Sequence, residues 1–332
     1  MKRYKLILII VLTATVFFSL LAGFDLYRFA HQGNRQPATI ILIEPGSSLR
    51  KIAGTLAAKK LITSEERFII LNRLRQSTAL LKAGEYRIEA GASPLEIIST
   101  LQQGISFQHK ISFPEGFTLK QIKARLTARG LCRPAELAQL TTDPNLYRKW
   151  QLPKTGLEGY LFPSTYYYNH QTSCRKIIEQ MLETGRQEYL KIKAASPATR
   201  LNRHQVLTLA SIIQKEAGNR EEMPLIAAVF HNRLRRKIRL ASDPTTIYGL
   251  GENFDGNLRR RDLDNSSPYN TYRHKGLPPG PICCPGRDAI KAALNPAASD
   301  YLFFVSRNNG SHQFSRTYAE HKRAVQKYQL GH

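Results

Sequence analysis

One uncharged run near the start restricts this chain more than any other feature. Leu6 to Phe24 reads LILIIVLTATVFFSLLAGF, nineteen residues without a charge. At about 1.5 Å of helical rise per residue it measures roughly 28 Å, close to the hydrocarbon core of a bilayer. A helix that is apolar all round has no face to give to water, so the run predicts a transmembrane span. A cleaved signal peptide is the alternative, but its apolar region usually covers only about 7–15 residues before a small-residue cleavage site. Here Leu21-Ala22-Gly23 is followed by Phe24, which offers neither an A-x-A site nor a cysteine to acylate. Lys2, Arg3 and Lys5 precede the run and favour a cytoplasmic N-terminus, although Arg28 and Arg35 beyond it weaken the contrast. Residues 1–5 then form a cytoplasmic tail, 6–24 a single membrane span, and the rest of the chain lies outside the cytoplasm.

That topology decides how the charge is read. Lysine and arginine number 49 against 25 acids, a net charge of +24, so some anionic surface attracts the chain. Outside the cytoplasm the partner is cell-wall polymer or lipid headgroups, and no nucleic acid is expected. The 332 residues are 42% hydrophobic, which excludes a disordered chain, and single cores seldom grow past about 250–300 residues, so more than one unit is expected. Cys132, Cys174, Cys283 and Cys284 lack zinc-site spacing. In an oxidising compartment Cys132 and Cys174 could pair, but the sequence alone does not place their Cα atoms.

Residues 25–37 are polar without an apolar period and read as a stalk. Thr39 to Ile43 reads as a strand, and Ser47 or Ser48 can cap a helix carrying Leu49, Ile52, Ala53 and Leu56. Thr63 or Ser64, with Glu66 behind it, caps a second helix, and Gly84 to Ile88 alternates like a closing strand. Strand, helix, helix, strand within residues 38–106 resembles a divergent LysM-like module, a family that binds glycans; a spacer or docking unit is the other reading. Residues 107–330 form a larger domain. Within it the Gly/Pro/Tyr-rich stretch Pro153 to Tyr168 either stacks on sugar faces or packs down on the core.

One carboxylate stands apart. His204 to Gly218 (HQVLTLASIIQKEAG) is helical by the recurrence of Val206, Ala210 and Ile213, with Gly218 expected as its C-cap. Glu216 sits in the last turn, and Ile212 and Ile213 share its face. An apolar wall and the negative end of the helix dipole both disfavour the anion, which suits a general acid. The competing reading has Glu216 reaching solvent or pairing with Lys215 or Arg220. The next helix carries Glu221 and Glu222 at its start and Arg233, Arg235, Arg236 and Lys237 at its end, an order that follows the dipole and reads as a solvated terminus. Tyr301 to Val305 reads as a buried strand, Asn308-Asn309-Gly310 as a turn, and His312 and His321 as structural or substrate-contacting histidines.

LASIIQKEAG (209–218), AAVFHNRL (227–234), LASDPTTIYGLG (240–251), SPYNTYRHKGLPPGPI (267–282) and AALNPA (292–297) together resemble the signature run of the endolytic murein transglycosylase family, the MltG or YceG-like proteins. The resemblance covers roughly residues 110–328. It implies an α+β fold, an inner-membrane anchor, cell-wall synthesis proteins as partners, and cleavage within peptidoglycan strands that leaves 1,6-anhydroMurNAc ends. It also implies that the catalytic glutamate is Glu216, and that Asp243, Tyr248, Asn270 and Tyr272 shape the cleft and hold substrate. One departure shows: Gln214 stands where the family commonly has a second glutamate. An ordinary glycosidase needs two carboxylates, but this substrate carries its own nucleophile, the MurNAc 6-hydroxyl, so one residue can act as acid and then as base. Neither metal nor organic cofactor is required. A muramidase-like hydrolase using Asp243 or Glu158 as second carboxylate competes, as does a glycan-binding scaffold without activity. A penicillin-binding arrangement fails on order, because no S-x-N lies between the S-x-x-K matches at Ser48 and Ser173 and the K-T-G at Lys154.

Overall fold

A computed structural model describes residues 2–76, 81–196 and 199–331, which form two compact units: Met1–Lys110 with Tyr167–Gln171, and Ile111–Tyr166 with Thr172–His332. The fold is α+β, and among the described residues one long apolar helix stands at the N-terminus.

In the first unit that helix, α1 (Lys2–His31), runs further than the apolar run alone predicts. The expected stalk at 25–37 is corrected in its first half: residues 25–31 continue the helix, and Phe29 and Ala30 are buried in the core of the unit. A polar-looking stretch conceals this because only one face of the last two turns meets the core. The chain then forms β1 (Thr39–Ile43), α2 (Leu49–Ala58), α3 (Glu65–Leu74), β2 (Gly84–Ile88) and α4 (Pro94–Gln103). Antiparallel pairing sets Ile41 opposite Tyr86, which directs Ile41, Ile43, Tyr86 and Ile88 into the core. Ile52, Leu56, Phe68, Ile97 and Leu101 close over them. Helix starts are fixed by side chains: Ser48 and Ser64 accept the Lys51 and Arg67 amides, and Ser93 with Glu96 forms a capping box.

β3 (His109–Ser112) pairs with β4 (Thr165–Tyr168). The second unit is mostly helical: α5 (Leu119–Ala128), α6 (Pro134–Leu140), α7 (Pro144–Trp150), α8 (Cys174–Ala194), α9 (Arg203–Glu216), α10 (Met223–Arg235), α11 (Asp243–Leu250), α12 (Arg287–Leu294) and α13 (Tyr318–Gln329), with the hairpin β5 (Phe303–Ser306) and β6 (His312–Ser315) before the last helix. Cys132 and Cys174 form a disulfide, while Cys283 and Cys284 are buried thiols. Tyr160, Leu161 and Tyr166 are buried, so most of the aromatic stretch after Pro153 serves the core.

α9 is the axis of this unit. Every residue from Val206 to Ile213 is buried, and the helix packs on α10, α11 and α12. A helix enclosed on all sides is rigid and delivers its last turn to a fixed place. Its C-cap is Ala217, not Gly218. Gly218 instead makes room for a neighbour. A Cβ there would lie 2.5 Å from the Gly310 carbonyl oxygen, so the glycine lets the hairpin turn approach the end of α9.

Candidate active site

Glu216 emerges from the end of α9 into a cleft of about 590 Å³. Arg233, Asp243 and Tyr272 line it on one side, and the β5–β6 hairpin and α13 contribute Phe303, Phe304, His312, Tyr318 and His321 on the other.

Two sequence-distant segments meet behind the glutamate. The Ala241 amide donates to the Thr271 carbonyl at 3.1 Å, and the Ser242 amide donates to Thr271 Oγ1 at 3.0 Å. Ser242 holds the N-cap position of α11, yet its side chain makes no capping bond. Instead its hydroxyl donates to Glu216 Oε1 at 2.5 Å. Ala241 adopts a φ of 47°, a left-handed conformation costly for a residue with a Cβ, and this bend sets Ser242 under the carboxylate. Next along, Tyr272 donates its hydroxyl to Asp243 Oδ1 at 2.6 Å, and Asp243 is exposed in the cleft.

Burial pushes the Glu216 carboxyl up to about 7; the Ser242 hydrogen bond opposes this, the negative charge of Asp243 adds to it, and Arg233 opposes it. The group is therefore part protonated at neutral pH, as a proton donor requires. Neither Arg220 nor Lys215 pairs with it: Arg220 reaches Glu115 and Asp288, each at 3.6 Å, and Lys215 is exposed. Gln214, two residues back, faces elsewhere and accepts the Gly286 amide at 2.9 Å.

The solvated helix end expected at Arg233 is corrected. Arg233 is partly buried, donates to the Leu302 and Leu240 carbonyls at 2.6 Å each, and lies 5.2 Å from the centre of the Phe303 ring. The strand expected to be buried at Tyr301 to Val305 is β5, half-buried, with its aromatic side chains forming the cleft wall. His321 stacks on Phe303 at 5.2 Å, and its Nδ1 is buried without a partner among the described residues. His312 is tied down, its amide and Nδ1 both meeting the Glu222 carboxylate.

Two of the residues expected to hold substrate lie elsewhere. Asn270 is fully buried, donating to the Leu263 and Asn265 carbonyls at 2.8 Å and accepting from Thr246 and the Tyr272 amide. It shapes the loop that presents Tyr272. Tyr248 faces away from the cleft and donates to Glu158 at 3.2 Å. Glu158 is itself only 8% exposed, accepts the Leu119 amide, and is pushed up to about 7 by burial. It is not among the residues that line the cleft at Glu216. Asp243, Tyr272 and Glu216 do come together.

A model of the YceG-like family matches residues 41–327. The chain belongs to the YceG-like family. It is 34% identical over 304 residues to the endolytic murein transglycosylase of Bacillus subtilis (strain 168), covering 87% of this chain and 84% of that protein. Proteins of the same name from two Streptococcus pneumoniae strains are 29% identical over 88% of this chain, which spans 58% of their length. The crystal structure of a YceG-like protein from Listeria monocytogenes superposes with a TM-score of 0.58 at 34% identity, covering 86% of this chain and 98% of that one.

Proposed function

We propose that this YceG-like chain is an endolytic peptidoglycan transglycosylase that cleaves between MurNAc and GlcNAc, with Glu216 as the catalytic residue. The observation that carries the reading is a desolvated carboxyl pushed up to about 7, hydrogen-bonded to Ser242 in a cleft walled by aromatic rings. Relatives named endolytic murein transglycosylase support it.

In the first half of the reaction Glu216 gives its proton to the leaving GlcNAc oxygen as the bond from that oxygen to MurNAc C1 breaks. Positive charge grows on the MurNAc ring, and the Asp243 carboxylate, oriented by the Tyr272 hydroxyl, faces it. Glu216, now an anion steadied by Ser242 and Arg233, takes the proton of the MurNAc 6-hydroxyl as that oxygen bonds to C1. Its proton is restored, and the product carries a 1,6-anhydro ring. Tyr318, exposed in the cleft, offers a face on which a sugar ring stacks.

We assign α1 as a retained anchor of the bacterial inner membrane, with both folded units outside the cytoplasm. Residues 38–106 serve as a LysM-like module that holds a glycan strand, residues 107–330 as the catalytic domain, and wall-synthesis proteins as neighbours. A hydrolase that uses Asp243 as second carboxylate is the rival, since Asp243 lines the same cleft. Mass spectrometry of glycan ends released from peptidoglycan separates the readings. Anhydro ends that vanish in Glu216→Gln support the proposal, whereas reducing ends, or anhydro ends that persist in the variant, overturn it.

A further inference from the structure

Apart from the cleft at Glu216, the first unit contains a smaller recess of about 280 Å³, at the low end for a ligand pocket. It lies directly beyond α1. Phe29, Leu61, Ile62 and Pro94 are buried and provide an apolar floor, and the exposed Arg35 and Lys60 stand at its rim. Among the described residues no carboxylate lines it. Nor does either cationic head have a hydrogen-bonding or ion-pair partner among them, although other exposed cations of this unit do, as Lys51 does with Glu44 and Arg67 with Asp25.

The frame is fixed. Lys60 holds a left-handed φ of 57° at the end of α2, with the Leu61 amide donating back to the Leu56 carbonyl at 2.9 Å. On the facing side Asn34 is pinned to the Ala92 carbonyl through its amide at 3.0 Å and its side chain at 2.8 Å. Gly33 sits so close to the Gly91 carbonyl that a Cβ would lie 2.4 Å from its oxygen. Arg35 and Lys60 are thus presented by backbone that cannot drift apart cheaply.

Depth identifies the occupant. Because α1 continues unbroken into the core of the unit, distance along the helix measures distance from the bilayer. Phe29 lies five residues past Phe24, about 7.5 Å at helical rise, and the headgroup layer on one side of a bilayer is roughly 5–7 Å thick. The recess therefore lies at the outer edge of the headgroup layer, which long basic side chains can reach. An apolar floor with a cationic rim matches the glycerol neck and phosphate of a phospholipid. We infer that the recess bounded by α1, the α2–α3 turn and Pro94 binds the headgroup of an anionic glycerophospholipid through Arg35 and Lys60. This rests on reading α1 as a membrane span.

The test uses the full chain in nanodiscs of phosphatidylcholine and phosphatidylglycerol in equal proportion, with lipids retained on release counted by native mass spectrometry. Phosphatidylglycerol is expected to be enriched over phosphatidylcholine. The enrichment should fall about fivefold for each cation removed, and about 25-fold in Arg35→Gln with Lys60→Asn, the size expected for basic residues at an anionic surface. Asn is chosen at 60 because it tolerates a left-handed backbone. The Arg50→Gln, Lys51→Gln pair on α2 should keep the enrichment, and circular dichroism should match in all variants. Equal retention of the two lipids, an unchanged ratio in the Arg35 and Lys60 variant, or the same loss in the Arg50 and Lys51 pair overturns the inference. Complete displacement by inorganic phosphate also overturns it, as the mark of a free-anion site. Extraction of the chain from vesicles by alkaline carbonate overturns the membrane reading itself, a failure distinct from the others.

Discussion

Replacing Ser242 with alanine is expected to shift the basic limb of the pH profile upward, because the Ser242 hydroxyl favours the Glu216 anion. Its donor lies 2.5 Å from Oε1, and Ser242 is only 1% exposed, so water does not readily take its place. A hydrogen bond to a charged group is worth about 1.5–3 kcal/mol. With about 1.4 kcal/mol per unit of pKa, its loss raises the carboxyl by about 1–2 units. In the parent enzyme the group sits at about 7. The active free enzyme carries the protonated acid, so kcat/KM falls as pH rises through that value, and in Ser242→Ala the fall is expected at roughly 8–9. Asp243→Asn provides the opposite sign, since removing a nearby negative charge lowers the Glu216 carboxyl and brings the limb to lower pH. The assay counts anhydro ends by liquid chromatography and mass spectrometry from soluble glycan strands across a range of about pH 5–10, wide enough to hold both limbs. A limb that stays in place or moves down in Ser242→Ala, in a protein with parental circular dichroism, refutes the reasoning.

Other consequences are equally open to measurement. Folding lifts the Glu216 and Glu158 carboxyls from 4.5 to about 7, so the folded chain binds more protons than the unfolded chain across that window and loses stability as pH rises through it. Glu216→Gln should accordingly raise Tm more at about pH 8 than at about pH 5, on either side of that window, while abolishing cleavage; an equal change at both contradicts this. Asn270→Ala strands the half-buried Leu263 and Asn265 carbonyls and should cost about 1–3 kcal/mol in chemical denaturation, with a lowered kcat from a misplaced Tyr272. The Cys132–Cys174 link closes a separation of 42 residues, and replacing both cysteines with serine should lower stability by about 2–4 kcal/mol; a Tm unchanged under reduction argues against it. Gly218→Ala drives a Cβ into the Gly310 carbonyl, so Tm and kcat/KM should fall together.

Much of the molecule is legible without coordinates because it depends on local patterning. Nineteen uncharged residues define the apolar helix, the serine pair at 47–48 and Thr63-Ser64 announce the starts of α2 and α3, where Ser48 and Ser64 serve as the caps, and the run from Val206 to Ile213 marks a core helix with a glutamate in its last turn. Local patterns mislead where one residue type serves two purposes. Ser242 before Asp-Pro reads as a helix cap, and it does occupy that position, but its hydroxyl bonds to a carboxylate 26 residues earlier. Arg233 in a basic run reads as solvated, because nothing nearby announces the Leu240 and Leu302 carbonyls that hold it. Asn270 and Tyr248 share motifs with Tyr272 and Asp243, yet one is enclosed and the other faces Glu158, since neighbours in sequence point to different sides of a turn or helix.

The sequence by itself therefore determined many of the elements, the apolar N-terminal helix and the candidate carboxylate at its place on α9, as these rest on the character and spacing of nearby side chains. Tertiary structure decided the rest: the raised proton affinity of Glu216, the company of Ser242, Asp243 and Tyr272, the aromatic wall from the β5–β6 hairpin, and the recess behind α1. Desolvation and hydrogen-bond geometry depend on which surfaces meet, and those surfaces come from segments tens of residues apart, brought together only when the core closes.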